Sequence, residues 1–515
     1  MSIQQSLSPP ASPNKEPVTV NGRYIIHEKI GEGGMGVVFR AMDRLAEQIL
    51  AFKQVIVPTW HYPVDNDTEG EIEEALRLAL AHEFETLASL RHPNIISVLD
   101  YGFDEERRPY FTMDYLPEAQ HILAASTGLS EIEKVNLIQQ MLQALAYLHR
   151  RGILHRDLKP ANVLVTDHTV RILDFGLATT QQSTMQAAGS IPYIAPEVWE
   201  EQPHTEAADL YAVGIMAFEM FAGRHPFDVN SHRFIDQVLD DTPDLRLMNA
   251  SLNVTAVIGK LIHKVQDGRF ASADACIAAF SQAVGQPVPT ESSAIRESYL
   301  QAATFVGREN EKKTLLKALE EAKEGRGSSW LVSGESGVGK SRLLDEIGTQ
   351  ALVQGALVLR GQGIEGVGGS PLQLWRDALR RLVLTAPLDD LAITVLQALV
   401  PDIDRLLRRK VLPAPELDAP AARQRLISTI TNLFSNQTQW ILLILEDLHW
   451  ADAGLEILQQ LTRLAPRLPL LIIGSYRIDE RPHLPQLLPL MHELPLNRLS
   501  PSEITELSTS MLGRV

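Results

Sequence analysis

A series of short polar motifs, in a fixed order along the first half of this 515-residue chain, restricts its fold most strongly. A glycine-rich segment, GEGGMGVV, is followed by a lysine in AFKQV, then by HRDLKPAN, DFG and APE. Each motif alone is weak, since a glycine cluster often marks only a turn. All of them in this order form a highly specific signal for a site that holds the phosphates of a nucleotide.

Apolar patterns divide this half into two parts. Between Tyr24 and Lys53 the stretches YIIHEKI, VVFRAMD and ILAFKQVIV predict a small antiparallel sheet. The segment EEALRLALAHEFETLASL has apolar residues at helical spacing, and the same spacing dominates from about Leu129 to Phe280. The sequence therefore predicts a sheet followed by a mainly helical part.

On these motifs, residues 24 to about 282 resemble a eukaryotic-type protein kinase domain of the serine/threonine class found in bacteria. The resemblance implies a bilobal α+β fold that transfers the γ-phosphate of ATP to Ser or Thr of proteins, itself included. The positions implied to contact the nucleotide are Gly31, Gly33, Gly36, Val38, Lys53, Met113, Asp114 and Leu116.

The resemblance also implies that Lys53 holds the α and β phosphates and that a glutamate fixes Lys53. Glu83 lies nine residues before His92 in HEFETLASLRHPNII, which is the spacing of the family. Glu85 is the alternative, but it lies two residues too close to the HPN stretch.

The HRDLKPAN and DFG motifs would carry the chemistry. Asp157 would orient the substrate hydroxyl and accept its proton, and Lys159 would steady the transferred phosphate. Asn162 and Asp174 would bind Mg²⁺ through oxygen atoms.

Three further charged residues match the kinase pattern. Arg156 precedes the catalytic aspartate and is expected to pair with a phosphate added between Leu177 and Gly189. Arg269 is expected to form a structural ion pair with Glu197 of the APE motif.

A second phosphate motif, GESGVGKS, lies at 334–341 between the strand-like SWLVS and the helical RLLDEIGTQALV. This strand–loop–helix context is the one that a P-loop requires. Backbone N–H groups would wrap the phosphates, Lys340 would reach the β and γ phosphates, and Ser341 would ligate Mg²⁺. The glycines of the predicted loop are Gly334, Gly337 and Gly339.

Strand-like segments alternate with helical patterns around this loop: SWLVSG, ALVLRGQ, WILLILED and LPLLIIGSY. They predict an α/β domain with a parallel sheet. Together with FVGREN, they resemble the AAA-type ATPase module of the STAND signalling ATPases. The resemblance implies that Glu446 and Asp447 act on Mg²⁺ and water. The family usually places Asp first, so the division of roles between the two acids stays open.

Composition changes suggest the domain boundaries, because AVGQPVPTESS has the Gly, Pro and Ser of a linker. We predict a disordered tail at 1–22, a kinase domain at 23–282, a linker at 283–302 and an ATPase module at 303–515. The last segment matches only the beginning of the helical lid of such modules, so we expect a C-terminally truncated product or fragment.

The net charge, the length of the apolar runs and the cysteine count limit the expected cellular location and binding partners of the protein. The net charge of −17 disfavours binding to nucleic acid or to an anionic membrane. Apolar runs such as WILLIL are far shorter than the roughly 20 residues of a membrane span. A single cysteine, Cys276, excludes an internal disulfide and is expected to pack inside a helix. We therefore expect a cytoplasmic protein, with its oligomeric state open.

The sequence thus favours a serine/threonine kinase with protein substrates and two ATP sites, regulated by the ATPase module. Two alternatives remain. One is a signalling scaffold whose kinase fold binds ATP without transferring it. The other is a STAND-like ATPase switch in which the kinase domain is accessory.

Overall fold

The structure is a computed structural model. The residues that it describes are 18–33, 36–55, 90–104, 106, 108–173, 191–289, 307–364, 372–410, 415, 417–451 and 454–505. Glu83, Glu85, Asp174 and the expected phosphorylation segment between Leu177 and Gly189 lie outside the described residues.

An antiparallel six-stranded sheet, in the order β1-β2-β3-β4-β6-β5, forms the first lobe. Its strands are β1 Thr19–Val20, β2 Tyr24–Gly33, β3 Gly36–Asp43, β4 Gln48–Val55, β5 Val98–Phe103 and β6 Pro109–Asp114. Strands β2 to β4 confirm the antiparallel sheet that the sequence predicted. Along β4 alternate residues face opposite sides. Leu50 and Phe52 therefore pack with Tyr24 and Tyr110, while Lys53 belongs to the other face.

A helical lobe follows, in which α2 is the central helix. Its helices are α1 Ile122–Ala125, α2 Glu131–Arg150, α3 Pro196–Trp199, α4 Glu206–Ala222, α5 Phe234–Asp240, α6 Leu252–Leu261 and α7 Ala273–Ala283. Its strands are β7 Gln120–His121, β8 Val163–Thr166 and β9 Thr169–Ile172. Ser130 and Glu133 form a reciprocal capping box that fixes the start of α2. Cys276 is buried in α7, as predicted.

The second half of the chain contains a parallel sheet in the order β11-β12-β13-β10-β14. Its strands are β10 Ser328–Gly334, β11 Leu357–Gln362, β12 Ile441–Glu446, β13 Leu470–Arg477 and β14 His492–Pro495. The first four confirm the predicted strands. Alternate residues of β12 belong to two separate cores, one on each face of the sheet. This double burial explains why the strand has an unbroken apolar run.

Helices cover both faces of this sheet. They are α8 Glu309–Lys323, α9 Lys340–Val353, α10 Arg376–Leu382, α11 Asp390–Leu396, α12 Ile403–Leu407, α13 Ala419–Ser435, α14 Leu455–Leu464 and α15 Leu484–Leu487. In the described part of the chain, no helix has the length and apolarity needed to cross a membrane. The predicted fold class, an α+β bilobal unit followed by an α/β P-loop unit, is confirmed.

Candidate active sites

The glycine-rich segment includes the end of β2 and the start of β3. Gly31 pairs with Val38, and Gly33 pairs with Gly36 at the end of the hairpin. A Cβ atom on Gly36 would lie 2.2 Å from the backbone oxygen of Gln54 on β4, so only glycine fits there. The close approach of three strands leaves this hairpin free of side-chain bulk where a phosphate would lie.

Lys53 lies on β4, directly opposite Val38 on one side and Phe111 on the other. Its side chain is buried, and its ammonium group is 5.3 Å from the centre of the Phe111 ring. A buried cation at this position is suited to hold phosphate oxygens. The partner role of Glu83 stays a prediction, since that residue lies outside the described part.

Three of the positions implied to contact the nucleotide lie at the end of β6 and just beyond it. Met113 is buried opposite Ala51, and Asp114 lies opposite Leu50 at the end of the strand. Leu116 packs against the kinase core. Met113 and Asp114 therefore lie beside the strand that carries Lys53, where an adenine ring would meet backbone groups.

Asp157, Lys159 and Asn162 form one cluster before β8. The ammonium group of Lys159 is 2.9 Å from Oδ2 of Asp157. The side-chain amide of Asn162 donates to that same oxygen at 3.0 Å and to the backbone oxygen of Asp157 at 2.8 Å. These contacts fix the Asp157 carboxylate. The amide oxygen is the atom of the Asn162 side chain suited to Mg²⁺.

Asp209 of α4 binds the backbone of this loop just before Asp157. Its carboxylate accepts hydrogen bonds from the backbone N–H groups of His155 at 2.9 Å and Arg156 at 3.0 Å. Burial opposes ionisation, but hydrogen bonds from His149 and His204 hold the pKa of Asp209 well below its usual range. A charged acceptor therefore anchors the two residues before Asp157.

The expected ion pair between Arg269 and Glu197 is confirmed. The two terminal nitrogens of the Arg269 guanidinium each donate to one carboxylate oxygen of Glu197 at 2.7 Å, and both side chains are buried. This bidentate pair joins the APE segment to the helical lobe.

The second motif forms a P-loop between β10 and α9. Gly337 and Gly339 have φ angles of +75° and +99°, which favour glycine. The ammonium group of Lys340 donates to the backbone oxygens of Gly334 at 2.9 Å and Glu335 at 2.7 Å. Burial, and after it the charge of Arg477, lowers the pKa of Lys340. Phosphate oxygens would offer this lysine stronger partners than the two carbonyls.

The two acids at the end of β12, Glu446 and Asp447, contact different partners. The Glu446 carboxylate accepts a hydrogen bond of 2.7 Å from the hydroxyl of Ser341. Asp447 has a φ angle of +54°, and its carboxylate accepts from the side chain of Gln362 at 3.1 Å. The structure thus brings Glu446, rather than Asp447, onto the P-loop serine. Hydroxyl and carboxylate oxygens are ligands that Mg²⁺ prefers, so this pair fits the ion.

Among the residues described by the structure, no group of three or more His, Cys, Asp or Glu side chains is arranged to hold a metal. A site for Mg²⁺ at a P-loop needs only one or two protein ligands beside the phosphates, so the Ser341–Glu446 pair suffices.

Two arginines that the sequence analysis assigned no role support the P-loop. The buried guanidinium of Arg308 donates to the backbone oxygens of Val338, at 3.1 Å, and Asn497. Arg498 binds the carboxylate of Glu335 at 2.6 Å. The position of Arg308 within FVGREN was the available signal, whereas nothing near Arg498 in the sequence indicates its partner.

Two family models match this chain. A family model described as a protein kinase domain matches residues 24–281, half of the chain. The chain belongs to the protein kinase family. A second model, described as an AAA ATPase domain, matches residues 304–473, so this kinase chain also carries an AAA ATPase domain. Both domains imply ATP as the nucleotide.

Several curated proteins are similar to this kinase chain. Serine/threonine-protein kinase PrkC of Bacillus subtilis is 32% identical over 268 residues, which are 50% of this chain and 39% of that protein. The probable serine/threonine-protein kinase pknA2 of Bifidobacterium longum is 32% identical over 270 residues, 50% of this chain and 34% of that protein. Serine/threonine-protein kinase pkn3 of Myxococcus xanthus is 30% identical over 337 residues, 57% and 59% of the two chains. The chain therefore spans less than two thirds of each relative.

Proposed function

We propose that the chain is an ATP-dependent serine/threonine protein kinase, acting on proteins and on itself, and that its ATPase module regulates it. The observation that carries the kinase function is the cluster of Asp157, Lys159 and Asn162, in which two donors hold one carboxylate. The similar serine/threonine kinases support the choice of hydroxyl substrate.

The chemistry follows from this cluster. Asp157 accepts the proton of the substrate hydroxyl as its oxygen bonds to the γ-phosphorus, and the bond from phosphorus to the bridging oxygen of ADP breaks. Lys159 stabilises the charge of the transferred group. Mg²⁺, when bound, neutralises phosphate charge, and Asn162 with Asp174 would hold it. Lys53 would position the α and β phosphates.

The ATPase module would bind its own nucleotide through Lys340 and Ser341. The short hydrogen bond from Ser341 to Glu446 supports Glu446 as the acid beside Mg²⁺ and leaves Asp447 to orient water. The proposed boundaries are a kinase domain at 23–282 and an ATPase module at 303–515. A cytoplasmic location is proposed on the single, buried cysteine.

Transfer of labelled γ-phosphate to the full chain and to a generic basic protein tests the kinase function. We expect Asp157→Asn to lower transfer by roughly 10² to 10⁴-fold. Asp236→Asn changes the same charge at an exposed position of α5 and should leave transfer unchanged. Absence of label in the wild-type chain, with ATP still bound, would favour the scaffold. Wild-type transfer that persists in Asp157→Asn would reject the assigned role.

A further inference from the structure

The sheet lobe of the kinase contains a buried charge cluster that is incomplete by itself. Asp43 and Asp100 are 1% and 4% exposed. Arg23 binds both carboxylates, at 2.8 Å and 2.5 Å, and the hydroxyl of Tyr24 donates to Asp100 at 2.7 Å. Two carboxylates and one guanidinium leave this cluster one positive charge short. These exposures hold with the ATPase module in place. A buried charge without a partner is strongly unfavourable, so burial of both carboxylates in the docked arrangement requires a second cation.

The ATPase module supplies that cation. Arg381, on α10, places its guanidinium 3.1 Å from Oδ2 of Asp100. Burial raises the pKa of Asp100, but Arg381 and then Arg23 outweigh it and hold that pKa below its ordinary value. The cluster is therefore neutral only while the ATPase module lies against the sheet lobe.

Other contacts show that the two surfaces fit closely. A Cβ atom on Gly22 would lie 2.6 Å from the backbone oxygen of Leu384 in the ATPase module. Leu45 packs against the core on one face of the ATPase sheet. At the edge of the contact, Arg405 forms an exposed ion pair with Glu47.

Helix α9, which begins at the P-loop, lies against β5 of the sheet lobe. Near its end, Leu352 packs against both the kinase core and a core of the ATPase module. Just beyond, a Cβ atom on Gly355 would lie 3.2 Å from the ring of Phe103 on β5.

We propose that the docked ATPase module restrains the movement of the sheet lobe relative to the helical lobe, with Arg381 bound to Asp100 as the anchor. Lobe movement admits substrate and releases product, so a module held against the sheet lobe slows turnover. Phosphates held by Lys340 and Ser341 lie at the first turn of α9, the helix whose other end covers β5. The regulatory consequence rests on the kinase function proposed above.

Hydrogen exchange in the full chain tests the docking itself. Strand β5 is an edge strand covered by α9, so its amides report on the contact. Arg381→Glu places a carboxylate against Asp100 and should speed exchange of β5 amides at least fivefold. Arg376→Glu makes the same charge change at an exposed site on the same helix and should not. Equal exchange in Arg381→Glu and wild type would overturn the proposal.

Phosphate transfer by the same variants tests the restraint. Arg381→Glu should raise turnover severalfold, while Arg376→Glu should match the wild type. A fall or no change in turnover, together with faster exchange, would overturn the restraint. If the wild-type chain transfers no phosphate, the proposed kinase function fails, and the exchange result still decides whether the module docks.

A charge swap at the exposed pair keeps the test decisive if Arg381→Glu does not fold. Arg405→Glu should speed exchange of β5 about two- to fivefold, as expected for loss of a surface ion pair. Adding Glu47→Arg should restore wild-type exchange and turnover. Failure of the double variant to recover, when each single variant folds, would contradict the docking.

Discussion

The hydroxyl of Ser341 donates a 2.7 Å hydrogen bond to the carboxylate of Glu446, which lies 105 residues later in the chain. The pair joins the first turn of α9 to the end of β12. Because one oxygen of each side chain already lies beside the other, both can bind the same Mg²⁺ with little rearrangement.

This geometry predicts different effects for the two acids. Glu446→Gln removes a charged ligand and should weaken Mg²⁺-dependent nucleotide binding to the ATPase module about tenfold, or ~1.4 kcal/mol. Asp447→Asn should leave nucleotide affinity within about twofold, because Asp447 contacts Gln362 rather than Ser341. It should abolish hydrolysis, because the proposed role of Asp447 is to orient the attacking water.

Calorimetric titration with ATP and Mg²⁺ measures these affinities. Both variants are compared in a Lys53→Ala background, so that binding to the kinase site does not obscure the signal. Equal loss of affinity in the two variants, or loss in Asp447→Asn alone, would contradict the assignment.

Lys159→Met should lower the kcat of phosphate transfer by about 10- to 100-fold, with little change in the KM for ATP. The reason is that Lys159 contacts the Asp157 carboxylate and would act on charge that develops during transfer. Steady-state kinetics with a protein substrate separates the two constants. Lys313→Met, at an exposed position of α8, is the control; a rise in KM at constant kcat would assign Lys159 to nucleotide binding instead.

Arg269→Ala should destabilise the kinase domain by about 3–5 kcal/mol, because it leaves Glu197 buried without its cation. Urea denaturation of the full chain, followed by a probe in the helical lobe, measures the change. Replacing both residues, as Arg269→Met with Glu197→Gln, should recover much of the loss. Arg233→Ala, at an exposed ion pair, should change stability by less than about 1 kcal/mol.

His92 should make the stability of the kinase domain depend on pH. The ring is buried, accepts a hydrogen bond from the backbone N–H of Asn94, and has its pKa lowered to about 4 by burial and then by Arg171. Unfolding restores an ordinary pKa of 6.5, so the unfolded chain binds the extra proton between these values. Stability should therefore fall as pH drops from 6.5 towards 4, by up to about 1.4 kcal/mol per pH unit.

Urea denaturation at pH 7, 6 and 5 measures this slope. His92→Gln keeps a neutral polar side chain and should flatten the pH dependence. His27→Gln, at an exposed site, should preserve the slope. A wild-type slope unchanged by His92→Gln would exclude His92 as its source.

Local sequence patterns were sufficient to predict most of the fold and both motif clusters. The unbroken apolar run of β12 follows from burial on both faces, and HRDLKPAN brings Asp157 and Asn162 together within five residues. Strand β14 is short and mostly exposed, so its sequence has no strand pattern. The ion pair of Asp100 with Arg381 joins positions 281 residues apart, and only the packing of the two units makes it visible.

Arg308→Ala should weaken nucleotide binding to the ATPase module severalfold, although Arg308 contacts no phosphate position directly. Its guanidinium holds the carbonyl of Val338, within the P-loop, to the backbone beyond β14. Loss of this link frees the loop, and binding then requires the loop to be ordered again. Arg326→Ala, an exposed arginine before β10, is the matched control, and affinity is measured in the Lys53→Ala background. Arg308→Lys should restore part of the affinity, since one donor can still reach a carbonyl. If Arg308→Ala binds nucleotide like the control while losing stability, the residue serves the fold and not the loop.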